Sequence, residues 1–328
     1  MGILVDGSWT DDESAAQITG KDGRFLRADS KLRNWVTPDG APGPSGEGGF
    51  PAETGRYHLY VAINCPWAHR TMIMRKLKKL EDVISMSVTS PLRKSGQGWE
   101  FGGELDGYAD TLLGKSFLHE IYSLGQAGYT GRVTVPVLWD KEREVIVNNE
   151  SSEIIRMFNG AFNAFTGDNT DFYPEDGRAA IDEWNGLIYE TVNNGVYRTG
   201  FARSQEAYEE AFDTLFDTLD KLDAHLASNR YIAGGRITEA DWRLFPTLVR
   251  FDVAYVGAFK CNKQRIADYP NLSAYTRELY QVPGVAETVD TGIYKAGYYS
   301  ISELRNPLGI VPKGPVVDFS APHGREGV

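Results

Sequence analysis

The run Asn64-Cys65-Pro66, set between an alternating segment and a helical one, constrains this chain more than any other stretch. Tyr57-His58-Leu59-Tyr60-Val61-Ala62 alternates as a strand does, and Met72-Ile73-Met74-Arg75-Lys76-Leu77-Lys78 carries helical spacing. Proline is favoured at the first helical position, where its missing N–H costs nothing, so Pro66 puts Cys65 at the helix N-cap. Unpaired N–H groups of the first turn and the positive end of the helix dipole then face the sulfur. Such surroundings lower a thiol pKa and supply thiolate near neutral pH. A buried, unreactive cysteine is the competing reading, and the strand–Cys–Pro–helix order favours the reactive one.

The pattern continues as a compact α/β unit. Val83 to Val88 reads as a second strand, and after a long loop residues 110–124 carry helical spacing through Leu112, Leu113, Phe117, Ile121 and Leu124. Val133 to Trp139 reads as a third strand, and Asp140 to Arg143 turns it into a fourth over Glu144–Val147. Asn149-Glu150-Ser151-Ser152-Glu153 then opens a helix carrying Ile154, Ile155 and Phe158. A helix between the first two strands makes them parallel and the tight turn at 140–143 makes a hairpin, so the sheet is mixed. From about residue 175 the strand signals stop. Helical segments are expected at 176–194, 204–228, 238–256 and 270–281, with a short one at 283–290. Thr238 to Asp241 has the spacing of a capping box, with Ile237 able to staple onto Trp242, and is read as structural.

Both ends are read as accessory. Residues 1–55 form an extension in which Asp39 to Gly49, rich in Gly and Pro, excludes regular structure. This loop fits a surface linker and an active-site lid equally well. It is no phosphate loop, since no Gly-Lys-Ser/Thr closes it. The tail from Asn306 to Val328 is again rich in Pro and Gly and is expected to wrap the surface.

Charge and composition remove several function classes. The 328 residues carry a net charge of −11, leaving no basic excess for nucleic acid or an anionic membrane. Met1 to Asp6 lacks the basic start and long apolar run of a signal peptide, and Asp6 stands where myristoylation requires Ser or Thr. No segment approaches a membrane span. Two cysteines do not make a disulfide framework, which points to a reducing cytoplasm. The five histidines (His58, His69, His119, His225, His323) show no ligand spacing with the cysteines, so no metal is expected. No dinucleotide fingerprint is present either.

Two further features surround the thiol. Pro136 interrupts the third strand. If the Val135–Pro136 bond were cis, the Val135 backbone could pair with an extended peptide; an edge proline without a ligand is the alternative. Glu150 and Ser151 open a helix whose free N–H groups suit a carboxylate and whose acidic side chain suits an ammonium group. Ordinary capping by Asn149 and Ser151 explains the same residues. His69 and Arg70, just inside the first helix, are read as helix-face packing or a surface ion pair rather than as a source of potential at the thiol.

Taken together, the strand, Cys65-Pro66-Trp67-Ala68 at a helix start, Val135-Pro136, the hairpin and Glu150-Ser151 resemble the thioredoxin-like half of glutathione transferases. The helical second half fits them as well. Asn64-Cys65-Pro66-Trp67-Ala68-His69-Arg70-Thr71, Gly131 to Asp140, Asn149-Glu150-Ser151 and Val192-Asn193-Asn194-Gly195-Val196-Tyr197 are similar to the Xi class, the glutathionyl-hydroquinone reductases. The likeness runs from Asp29 to Arg325. It implies an α/β plus all-α architecture: an extension over 1–55, a thioredoxin-like glutathione-binding domain with a mixed four-stranded sheet over 56–170, and a helical domain over 171–328.

The resemblance also implies roles. Cys65 takes the place of the catalytic cysteine. Trp99, Arg132, the Val135 backbone, Glu150 and Ser151 take glutathione-binding positions, and Tyr197 and Tyr298 match tyrosines of the hydroquinone pocket. Without it, Trp99 and Tyr197 would be read as core aromatics and Arg132 as a turn residue. Ala68 stands where a second cysteine would complete a redox pair, so no internal disulfide forms there, and no spacing rule pairs Cys65 with Cys261. The implied activity is glutathione-dependent reduction of S-glutathionyl hydroquinones through a Cys65–glutathione mixed disulfide, in a cytoplasmic homodimer. A glutaredoxin-like thiol transferase or dehydroascorbate reductase is the rival enzyme, and a glutathione-transferase-like interaction module the rival without activity.

Overall fold

The computed structural model describes residues 2–11, 18–92, 98–103, 106–300 and 306–328. Met1 and parts of the long loop after the second strand, 93–97 and 104–105, lie outside the described residues. The chain forms two compact units, one of residues 1–17 and 28–170 and the other of 18–27 and 171–328.

The first unit is built on a four-stranded sheet in the order β4-β3-β6-β7, from β3 (Tyr57–Val61), β4 (Ser85–Val88), β6 (Val137–Asp140) and β7 (Val145–Asn148). β3 pairs parallel with β4 and antiparallel with β6, and β6 pairs antiparallel with β7. Every residue of β3 is buried, as a central strand covered on both faces requires. Helix α1 (Pro66–Leu77) supplies the β3–β4 crossover. It ends at Leu77, just before Lys79 turns left-handed, at φ 56°. The mixed sheet and the order of its elements agree with the thioredoxin-like expectation.

Local boundaries differ where side chains compete for the backbone. Residues 110–117 are not helical. The Asp110 carboxylate accepts the N–H groups of Leu112, Leu113 and Lys115 at 3.1, 3.2 and 2.9 Å, closing a turn, and helix α2 covers only Leu118–Gly125. The expected strand at 133–139 divides into β5 (Gly131–Arg132) and β6, with Val133 to Pro136 outside the ladders. Val83 and Ile84 precede β4, and Glu144, at φ 53°, precedes β7.

The N-terminal segment is more regular than its composition suggests. β1 (Ile3–Val5) and β2 (Ser8–Thr10) form a hairpin, and β1 pairs with β5. The Gly/Pro-rich loop is pinned within the same unit: the Trp35 indole N–H donates to Ser45 at 2.8 Å and the Asn34 side chain accepts the Glu47 N–H at 2.7 Å. A Cβ at Gly43 would come 2.3 Å from the Trp35 ring, so only glycine fits there.

A buried ion pair closes this unit. Lys78, 1% exposed, donates to the carbonyls of Asp168 and Thr170 at 2.9 and 2.6 Å and to the Asp168 carboxylate at 3.4 Å. Burial alone would raise the Asp168 carboxyl; the N–H and hydroxyl of Thr170 and the Lys78 charge outweigh it and hold the pKa at about 2. That value lies below the unfolded one, so the contribution is complete above pH ~4 and fades as pH falls through ~2. Asp168→Asn is therefore expected to cost about 2 kcal/mol at neutral pH. Urea unfolding should show the gap to the parent protein narrowing below pH ~4.

The second unit is helical: α4 (Arg178–Ile188), α5 (Gly195–Phe201), α6 (Gln205–Leu226), α7 (Glu239–Arg250), α8 (Pro270–Tyr280) and α9 (Thr291–Ser300), following α3 (Ser151–Gly160) of the first unit. The expected helices at 176–194 and 238–256 each end in a π-helical turn, at Tyr189–Asn193 and Phe251–Tyr255. The segment expected at 283–290 is only a short turn at Ala286–Thr288. α5 and α9 escaped the pattern reading because Gly195, Gly200, Gly292 and Gly297 dilute their helical signal. The capping box forms as expected, with Asp241 accepting the Thr238 N–H at 2.7 Å. The tail is held by Arg325, which is buried and donates to Glu278 at 3.0 Å and to the Leu226 and Arg230 carbonyls at 3.0 and 2.6 Å.

Candidate active site

Cys65 is the N-cap of α1, at φ −83° and ψ 120°, with Pro66 in the first turn. The expected geometry differs in one respect. The thiol makes no capping hydrogen bond to the helix; it donates instead to the Val135 carbonyl at 3.7 Å. It is also less open than a freely exposed thiol, since Cys65 retains 9% of its exposure. The Val135–Pro136 peptide is cis. Among the described residues the Val135 N–H has no backbone acceptor, while its carbonyl is held by the sulfur. Cys65 and Val135 are thus brought together from positions 70 residues apart. Cys261, by contrast, is wholly buried, and burial pushes its thiol far up. Both cysteines are free.

Glu150 and Ser151 meet at the start of α3. The cap is Glu150 itself, whose carboxylate accepts the Ser152 N–H at 3.0 Å and the Ser152 and Ser30 hydroxyls at 2.9 and 3.1 Å. Asn149 and Ser151, the expected caps, are used elsewhere: the Asn149 amide donates to the Tyr122 hydroxyl at 3.1 Å, and Ser151 accepts from Arg70 at 3.4 Å. Burial would raise the Glu150 carboxyl, but the Ser152 donors, the Arg70 charge and Ser30 hold it below the ordinary value. It is a carboxylate at neutral pH. Of the two readings of Arg70, packing holds and the surface ion pair does not. It is buried, stacks 4.5 Å from the Trp67 ring centroid and reaches Ser151.

The other two candidates lie on separate segments. Trp99 is buried, and its carbonyl accepts the Leu118 N–H at 2.9 Å. Arg132 is half-buried on β5 opposite Ile3.

In the second unit the Tyr197 and Tyr298 hydroxyls meet at 2.8 Å. Sequence reasoning missed the third member, Tyr255, whose hydroxyl lies 3.0 Å from that of Tyr298. No motif marks it. Its only signal is that a buried phenol needs a partner. Burial pushes both Tyr255 and Tyr298 well above the ordinary phenol value, the neighbouring Tyr197 adds to this, and the Arg250 charge opposes it. Both are protonated donors at neutral pH. Among the described residues no group of three His, Cys, Asp or Glu side chains could hold a metal. No helix among them is long and apolar enough to cross a membrane.

Known proteins resemble this chain over nearly its whole length. The glutathione S-transferase N-terminal domain model matches residues 64–161, and the C-terminal domain model matches 205–278. The chain is 53% identical to the glutathionyl-hydroquinone reductase YqjG of Escherichia coli over 99% of both chains. It is 49% identical to the glutathionyl-hydroquinone reductase PcpF of Sphingobium chlorophenolicum over 96% of both. The glutathione-bound structure of YqjG superposes with a TM-score of 0.91 at 50% identity over 99% of both chains. A Xi-class glutathione transferase from Natrialba magadii superposes with a TM-score of 0.92 at 46% identity, over 100% of this chain and 98% of that one. With a thiol at the N-cap after the first central strand, a cis proline opposite it and a helical second half, this chain belongs to the glutathione transferase superfamily, in the Xi-class family of glutathionyl-hydroquinone reductases.

Proposed function

We propose that the protein reduces S-glutathionyl hydroquinones to hydroquinones at the expense of glutathione. One observation carries the reading: the thiol belongs to the N-cap residue of α1, four residues before His69, with Ala68, not cysteine, in the resolving place. A lone thiol there exchanges with glutathione instead of closing an internal disulfide.

The reaction proceeds in two displacements. The substrate first takes a proton on the ring carbon that bears sulfur and gives up one hydroxyl proton, becoming a keto tautomer. Cys65 thiolate attacks the glutathionyl sulfur, the S–S bond forms, and the C–S electron pair enters the ring and collects on its oxygen. Tyr197 and Tyr298 donate hydrogen bonds to that oxygen, which is then protonated to hydroquinone. A second glutathione, as thiolate, attacks the mixed disulfide, releasing oxidised glutathione and regenerating Cys65. The substrate is reduced and one added glutathione is oxidised.

Glutathione is assigned to Trp99, Arg132, the Val135 backbone, Glu150 and Ser151. The ionised Glu150 carboxylate supports this, because it suits the ammonium of a γ-glutamyl group. The domain division at 56–170 and 171–328, the homodimer and the cytoplasmic setting belong to the same reading, with the two free cysteines supporting a reducing compartment. Intact-protein mass spectrometry after exposure to an S-glutathionyl hydroquinone is expected to show one added glutathione, mapped to Cys65. An adduct elsewhere, or none while substrate is consumed, rejects the covalent route.

A further inference from the structure

Residues 18–27 pack with the helical unit although the chain on either side of them belongs to the other one. This strap is anchored at the start of α6. The Arg203 N–H donates to the Gly23 carbonyl at 2.9 Å, the Ser204 hydroxyl donates to the Asp22 carbonyl at 3.2 Å, and Arg24 pairs with Glu210 at 2.5 Å. Gly23 has φ +82°, and a Cβ there would lie 2.9 Å from the Ser204 nitrogen, so only glycine lets the strap approach this closely. Beyond the anchor, Phe25 and Arg27 meet Tyr197. The Phe25 and Tyr197 ring centroids are 6.4 Å apart, and the Arg27 guanidinium carbon stands 5.0 Å from the Tyr197 centroid and 5.3 Å from that of Phe25.

We propose that Arg27 is a positioning residue for the reduction: its guanidinium, held over the Tyr197 ring, makes that phenol a stronger donor to the substrate's ring oxygen. The proposal rests on the reading given under Proposed function. A cation at the ring face favours electron density in the phenol and hence the more acidic O–H. The demand for such a donor rises as the C–S electron pair moves onto the ring oxygen, so the effect is larger in the transition state than in the ground state. Phe25, Phe201, Phe259, Tyr255 and, through its hydroxyl, Tyr298 also face Tyr197. These are uncharged at neutral pH, whereas Arg27 brings a cation to the ring face. The strap thus gives the N-terminal segment a chemical task beside packing.

The test compares the parent protein with Arg27→Gln and Arg27→Lys on two substrates. One is an S-glutathionyl hydroquinone; the other is a mixed disulfide of glutathione with a small aliphatic thiol, which has no ring oxygen. Arg27→Gln is expected to lower kcat/KM for the hydroquinone conjugate about three- to thirtyfold, mainly in kcat. Arg27→Lys should restore most of this loss, and turnover of the aliphatic disulfide should be equal in all three proteins. Equal losses on both substrates, or no rescue by Arg27→Lys, overturn the proposal in favour of a packing role for Arg27. A parent protein that turns over the disulfide but not the conjugate overturns the functional reading, and this inference with it.

Discussion

Cys65→Ser is expected to lower turnover of S-glutathionyl hydroquinones by about a thousandfold or more. A serine hydroxyl can donate to the Val135 carbonyl as the thiol does, so the site keeps its shape. What it cannot do is form a disulfide. Its oxygen ionises far above neutral pH and, once bonded to sulfur, would offer no exchangeable partner to the second glutathione. The loss should therefore appear in kcat, with the single-glutathione adduct absent from the mass spectrum. The denaturation midpoint should be unchanged, because the substitution exchanges one small side chain for another at a 9%-exposed position. A variant retaining a tenth of the parent rate would show that Cys65 is not the attacking atom. The buried Cys261 offers no substitute, since burial keeps its thiol protonated.

The largest loss of stability is expected from Asp241→Ala. This carboxylate is fully buried and accepts four hydrogen bonds, from the Thr238 N–H at 2.7 Å, the Thr238 hydroxyl at 3.0 Å, the Ile232 N–H at 2.9 Å and the Tyr275 hydroxyl at 2.6 Å. Alanine leaves those donors without an acceptor in a place water does not reach, and each orphaned donor costs about 1–3 kcal/mol before relaxation. A total of about 4 kcal/mol is expected, read as a lower urea midpoint at an unchanged slope. The box does more than start α7: one side chain ties Ile232, α7 and α8 together. A cost of about 1 kcal/mol, that of an ordinary exposed cap, would show that the three ties are not acting jointly.

Much of the site was legible because it is written in local backbone chemistry. Pro66 marks the first turn of a helix wherever it folds, and that alone assigns the N-cap to Cys65. Val135-Pro136 signalled a break in its strand, and the structure shows that break as a cis bond whose carbonyl meets the thiol. The Thr238–Asp241 spacing announced its own hydrogen bonds. Other features were misread because spacing does not say which partner a polar side chain takes. Residues 110–117 have helical spacing, yet Asp110 takes three of their N–H groups. Asn149 was read as a cap, yet the Glu150 carboxylate caps α3 and Asn149 turns to Tyr122. Arg70 gave no sign in the sequence that it would be buried beside Ser151.

On its own, the order of residues settled the central elements, the mixed character of the sheet, the change from α/β to all-helical and the placement of a thiol at a helix start. Each follows from preferences acting over a few residues: side-chain periodicity, proline at a first turn and capping. Only the tertiary structure decided that Val135 meets the sulfur across 70 residues and that Tyr255 completes a chain of phenols with Tyr197 and Tyr298. It alone also decided that a ten-residue strap brings Arg27 to the Tyr197 ring. Such contacts depend on where whole elements come to rest, because a buried polar group takes whichever partner packing brings within about 3 Å, whatever their separation along the chain.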